Sequence, residues 1–159
     1  MRRSGPLPSV GLAFLLTMSA GLPGLTPLVA APAYQLMAMT ELKSGSNGHF
    51  VVMAEINGRD VRVMVDTGAT AVALSHEDAS AIGLKPDDLT YDVPVSTANG
   101  IAKAARVTLT KVNIDQVKVY DVQALVMPEG ALTGSLLGMS YLGRLQSFKV
   151  QDGVLVLKN

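Results

Sequence analysis

The chain has 159 residues, 48% of them apolar and 16% charged, which suits one domain with a short leader and enough aliphatic surface to bury a core. It contains no cysteine, which excludes disulfides, thiolate catalysis and Cys-based zinc sites. Thirteen basic residues balance thirteen acidic ones, so there is no basic excess of the kind nucleic-acid binding requires.

From the N-terminus, Met1-Arg2-Arg3 is a short basic start, Val10 to Leu22 is apolar and uncharged, and Ala31-Pro32-Ala33 is a run of small residues. Charge, apolar core and small residues in that order predict a secretory signal peptide over residues 1–33, with Tyr34 as the new N-terminus. The competing reading is an uncleaved membrane tether through residues 10–31, which is long enough to span although Pro23 and Pro27 interrupt it. Both readings put the folded part on the periplasmic or extracellular side. Residues 34–46 read as a linker, ending in the flexible Ser44-Gly45-Ser46-Asn47-Gly48, and the domain is expected over residues 47–159.

Short strands follow. His49 to Ile56 reads as a strand, Asn57-Gly58 as a hairpin turn in which both positions accept positive φ, and Val61 to Val65 as the returning strand, which runs into Asp66-Thr67-Gly68. Ser75 with Asp78 three residues on predicts a capped helix with Ala79 and Ile82 on its apolar side, ended by Gly83 and Pro86. Strands are then expected at Val93–Thr97, Ile101–Thr110, Ile114–Tyr120 and Val122–Met127, with a turn at Ala98-Asn99-Gly100. Pro128-Glu129-Gly130 is another turn, and a short helix or turn is expected from Met139 to Leu145. A final pair, Ser147–Gln151 and Val154–Leu157, hinges at Asp152-Gly153. Close spacing of short strands and turns predicts an all-β closed barrel or sandwich with one short helix after residues 66–68. A hydrophobic run into a glycine occurs twice, at Met64–Gly68 and at Ser135–Gly138, as in a faint internal repeat.

Asp66-Thr67-Gly68 is the centre of the chemical case, because a carboxylate at the end of an apolar strand is costly unless it is paired, hydrogen-bonded or functional. The bland reading is a turn, since Asp, Thr and Gly are all turn formers. His49 and His76 lack a partner at metal-ligand spacing, so neither a metal nor a cofactor is expected. Asp87-Asp88 reads as an exposed acidic pair, and the eight methionines as flexible filling.

The order of elements from Asn57 onward resembles the bacterial retropepsin-like aspartic proteases, single-domain members that are exported or linked to a membrane. The resemblance rests on Asn57-Gly58, on Val61-Arg62-Val63-Met64-Val65-Asp66-Thr67-Gly68-Ala69-Thr70, on the helix ending Ile82-Gly83-Leu84, on Thr97-Ala98-Asn99-Gly100, on Leu136-Leu137-Gly138-Met139-Ser140-Tyr141-Leu142 and on Gly153–Leu157. It implies the retropepsin fold and an aspartic endopeptidase. It also implies that the Asp66 carboxylates of two subunits activate water between them, because the chain carries one Asp-Thr-Gly. Under it Thr67 locks the two loops across the axis, Gly68 permits close approach of the backbone, and Ala69 lines the site. Ala98, Asn99 and Gly100 tip a flap over a peptide or protein substrate. Leu137-Gly138 closes the loop from behind. The rival from another class is a non-catalytic peptide-binding or assembly module with the same fold.

Overall fold

The computed structural model describes residues 37–97 and 100–159. The expected leader and the start of the expected linker lie outside them, as do Ala98 and Asn99. Among the described residues, ten strands, two short α-helices and a single turn of 3-10 helix follow one another: β1 (Met39–Lys43), β2 (Val51–Ile56), β3 (Arg59–Val65), β4 (Val72–Leu74), α1 (His76–Ala81), the 3-10 turn (Pro86–Asp88), β5 (Tyr91–Thr97), β6 (Gly100–Ile114), β7 (Val117–Val126), β8 (Ser135–Leu137), α2 (Met139–Leu142), β9 (Ser147–Gln151) and β10 (Val154–Lys158). The larger sheet runs β2-β3-β8-β4-β7-β6-β5, and β2 pairs again with β6 through Glu55–Asn113 and Ile56–Val112. That second pairing closes β2, β3, β8, β4, β7 and β6 into a barrel, and β5 extends β6 as a hairpin outside the closure.

Alternation decides which face of each strand is inside. In β3, Val61 and Val63 are buried while Arg62 is exposed; in β2, Ala54 and Ile56 are buried while Met53 is exposed. The barrel core is almost wholly aliphatic, with Leu74, Leu109, Val112, Ile114, Leu137 and Leu142 fully buried. Asn57 (φ 50°) and Gly58 (φ 83°) make the expected β2–β3 turn, with both residues in the left-handed region.

Two expectations change here. Residues 39–43, expected within a linker, are strand β1, paired antiparallel with β10, which pairs in turn with β9. Thr40 is buried and Leu42 half-buried, Asn159 N donates to Ala38 O at 2.9 Å, and the Thr40 hydroxyl donates to the Asp115 carboxylate at the β6–β7 turn. The C-terminal hairpin is therefore completed within its own chain by an N-terminal strand. Secondly, the strand expected at residues 101–110 runs on to Ile114 as the 15-residue β6, and the two expected at 114–120 and 122–127 are one strand, β7, which forms the other side of its hairpin. The β6–β7 pairing keeps one register from Ala105–Val126 to Ile114–Val117. The expected strand ends, Thr110 on β6 and Tyr120 on β7, are exposed positions inside these longer strands. Within β7 Asp121 takes φ 51°, and the Arg144 guanidinium donates to the carbonyls of Tyr120 (2.5 Å) and Asp121 (3.1 Å). The turn between β6 and β7 falls at residues 115–116, inside the strand expected at 114–120, with Asp115 at φ 52°. Strand β5 begins at Tyr91, two residues before the expected start.

Tyr141 anchors α2 in the barrel: it is fully buried and its hydroxyl donates to Val117 O at 3.0 Å. Burial, with the Asp115 carboxylate nearby, pushes its ionisation well above the ordinary tyrosine value. The folded state therefore holds this proton when the unfolded chain has released it. The contribution is fully present below about pH 10 and falls as pH rises, by about 1.4 kcal/mol per pH unit while one proton separates the two states. Tyr141→Phe is expected to lower stability by about 1–3 kcal/mol near neutrality, since Val117 O loses its buried donor, and to flatten the alkaline decline. Denaturant melts at pH 7 and above pH 10 check both.

Candidate functional site

The candidate site is a loop between β3 and β4, with β8 paired to both strands. β3 runs parallel to β8 and β4 runs antiparallel to it, so β8 lies between two strands that are consecutive in the chain. The connection from β3 to β4, residues 66–71, must therefore cross the end of β8. It carries Asp66, Thr67 and Gly68.

Each turn of this crossing is held. Asp66 N donates to Leu137 O (3.1 Å), extending the β3–β8 ladder by one residue. The Asp66 carboxylate then turns back along the loop, and its Oδ1 accepts Gly68 N–H at 2.8 Å. Ala69 N donates to Asp66 O at 3.3 Å, which closes the turn. Asp66 and Ala69 are half-buried, whereas Thr67 and Gly68 are exposed. A β-carbon on Gly68 would stand 3.2 Å from Asp66 Oδ1, so glycine leaves the carboxylate room in this turn.

Behind the loop, Gly138 is buried and packed on its backbone: a β-carbon there would lie 2.2 Å from Ala71 O and 2.7 Å from Ala69 O. Met139 N donates to Ala69 O at 2.8 Å, and Ser140 Oγ accepts Val72 N–H at 2.9 Å while donating to Gln123 O on β7 at 2.7 Å. On the far side of β4, Ser75 caps α1 by accepting Asp78 N–H (3.1 Å), as the sequence suggested. The buried Ser135 hydroxyl on β8 accepts Ser75 N–H (3.1 Å) and donates to Asp78 Oδ2 (2.5 Å). Residue 78 was expected only in a capping role; its carboxylate fastens α1 to β8.

Thus Asp66, Thr67, Gly68 and Ala69 are brought together on one hydrogen-bonded loop. Gly100 stands elsewhere, at the start of β6 in the β5–β6 hairpin, exposed and with φ 108°, and its carbonyl accepts the Thr97 hydroxyl at 2.8 Å. Its expected neighbours Ala98 and Asn99 lie outside the described residues. Among the described residues no group of three or more His, Asp or Glu side chains is arranged to hold a metal ion. His76 Nε2 lies 3.2 Å from Asp87 Oδ1 at the surface. Sequence reasoning missed Ser135 and Ser140, because a serine beside an apolar run carries no signal until its partners, residues 75 and 78 or 72 and 123, are known.

A half-buried carboxylate at the end of β3, held by a backbone amide and without a cation partner among the described residues, can act as a general acid or base toward a bound molecule. Residues 52–144 match the family described as gag-polyprotein putative aspartyl protease. The chain is 42% identical over 113 residues to an uncharacterised Sinorhizobium protein from the cobV 5′ region, covering 71% of this chain and 48% of that one. It is 39% identical over 111 residues to an uncharacterised Rickettsia prowazekii protein, covering 70% and 47%. The chain thus spans about half the length of these curated relatives. Among solved structures, a retropepsin-like aspartic protease from Rickettsia conorii superposes with a TM-score of 0.70 at 35% identity, over 77% of this chain and 91% of that one. The EIAV protease, complexed with the inhibitor HBY-793, shares the fold with a TM-score of 0.52 at 16% identity, over 64% and 91%.

Proposed function

The chain belongs to the retropepsin-like aspartic protease family, and from that membership we propose that it is an endopeptidase working as a homodimer, with one Asp66 from each subunit. The observation that carries this reading is the geometry of the Asp66 loop. The carboxylate is fixed by Gly68 N–H, the adjacent Thr67 is exposed, and the sequence offers one Asp-Thr-Gly. A second copy related by a two-fold axis supplies the second carboxylate.

Two carboxylates about 3 Å apart share one proton, because both cannot be charged at that distance. The ionised member takes a proton from a bound water as the oxygen attacks the peptide carbonyl carbon. The protonated member gives its proton to the carbonyl oxygen. The tetrahedral diol then collapses as the C–N bond breaks: the amine takes a proton from one carboxyl, and a diol hydroxyl returns one to the other. No covalent intermediate forms. The β5–β6 hairpin acts as a flap, and the substrate binds extended beneath it by backbone pairing. The basic start and uncharged apolar stretch of the first 31 residues support export, with the domain outside the cytoplasm and a signal or tether ahead of it.

The test is hydrolysis of a diverse peptide library, from acidic to neutral pH, over a range of protein concentrations beside sedimentation velocity. Specific activity is expected to rise with concentration in step with the dimer fraction and then level off. Activity that is independent of concentration in a strictly monomeric sample defeats the shared-site reading. A stable dimer that binds peptides and cuts none favours a binding module instead.

A further inference from the structure

We propose that Ser140 is a positioning residue for Asp66, a reading that rests on the protease function above and concerns the same site. The run Leu137–Ser140 meets the loop at three points: Leu137 O with Asp66 N, Met139 N with Ala69 O, and Ser140 Oγ with Val72 N. The first two are main-chain bonds that survive any substitution. The third is made by a side chain, and it closes the leg of the loop that leaves the Asp-Thr-Gly turn.

The hydroxyl is used in both directions. It accepts Val72 N–H at 2.9 Å and donates to Gln123 O at 2.7 Å. β4 begins its parallel pairing with β7 at Val72–Ala124. One residue earlier the chain has left the sheet, and the Ser140 hydroxyl bridges the gap between the Val72 amide and the Gln123 carbonyl. It does so from a fixed base. α2 is anchored on one side by Tyr141 to Val117 O and beyond its end by Arg144 to the carbonyls of Tyr120 and Asp121. Residues 69–72 are thus tied to β7 through an element that cannot follow them if they move. Without the hydroxyl, the N–H and the C=O lose their shared partner, and the leg is free to shift relative to β8. Asp66 lies at the other end of that leg and must meet its counterpart across a two-fold axis, where a displacement of about 1 Å costs on the order of 100-fold in rate.

The experiment compares wild type, Ser140→Ala and Ser140→Thr in the intact chain, with three readouts: kcat and KM on a cleaved peptide, thermal melting, and amide hydrogen exchange at Asp66, Ala69 and Val72. Ser140→Ala is expected to lower kcat about 10- to 100-fold with little change in KM, to remain folded at the assay temperature, and to exchange the Val72 amide at least about tenfold faster. Ser140→Thr, which keeps a hydroxyl, is expected to restore both. Three results overturn the proposal: wild-type kcat in Ser140→Ala, a loss of activity no greater than the loss of folded protein, or unchanged exchange at Val72. If the wild type cuts no peptide, the protease reading itself fails, and the exchange rates alone then decide whether Ser140 holds the loop.

Discussion

Asp66→Asn is expected, on the proposed function, to lower kcat by at least ~10²-fold, towards ~10⁴-fold, with the fold and the proposed dimer intact. Asparagine is nearly isosteric with aspartate, and its side-chain oxygen can accept the same Gly68 N–H that Asp66 Oδ1 accepts at 2.8 Å. The main-chain bonds from Asp66 N to Leu137 O and from Ala69 N to Asp66 O are untouched. What disappears is the exchange of a proton: an amide cannot take one from water at any working pH, and in a homodimer the change removes both carboxylates at once. Peptide cleavage by wild type and variant purified identically checks this, with circular dichroism and sedimentation to confirm fold and assembly. Cuts that persist at wild-type rate in a folded dimer of Asp66→Asn would place the chemistry elsewhere.

Gly138→Ala carries the largest expected effect on folding. Its backbone, at φ −96° and ψ −169°, suits any residue, so the constraint is one of space. The added carbon would sit 2.2 Å from Ala71 O, 2.6 Å from Ala71 C and 2.7 Å from Ala69 O. These are backbone atoms, so no rotamer change makes room, and the crossing from β3 to β4 must move away from β8. Overpacking of this kind costs about 1–3 kcal/mol and more where backbone must shift, and the upper end is expected here. Activity should fall further than stability, because the displaced atoms belong to the Asp66 loop. Gly134→Ala is the control: a β-carbon there meets nothing within 4 Å, and a change within about 0.5 kcal/mol is expected. Equal melting curves for the two variants would sink the steric account.

The local features were legible because each depends on a few neighbouring residues. Asn57-Gly58 takes positive φ at both positions, as the hairpin requires. Ser75 caps α1 through Asp78 N, and Asp152 and Gly153 turn the final hairpin at φ 51° and 74°. The Asp-Thr-Gly at the end of an apolar strand stood out for the same reason. Where the reading failed, the determining contact was distant in sequence. Met39–Lys43 has little apolar content and looks like a linker until it is set beside Val154–Lys158, at the other end of the chain. Thr110 and Tyr120 read as strand ends in the sequence. Only the cross-strand register, from Ala105–Val126 to Ile114–Val117, shows that both lie inside longer strands and that the turn is at residues 115–116.

By itself the sequence determined that this protein is an all-β domain, and that its one reactive-looking carboxylate, Asp66, sits at a strand end with glycine beside it. Alternation, turn chemistry and capping are properties of stretches shorter than a dozen residues, and they survive without a fold. The tertiary structure alone decided how that carboxylate is held. β8 inserts between β3 and β4, Gly138 lies against the loop, and the hydroxyls of Ser135 and Ser140 join segments about 60 residues apart. Such contacts leave no local trace, because a hydrogen bond or a close backbone approach is specified by both partners, and the chain brings them together only when the barrel closes.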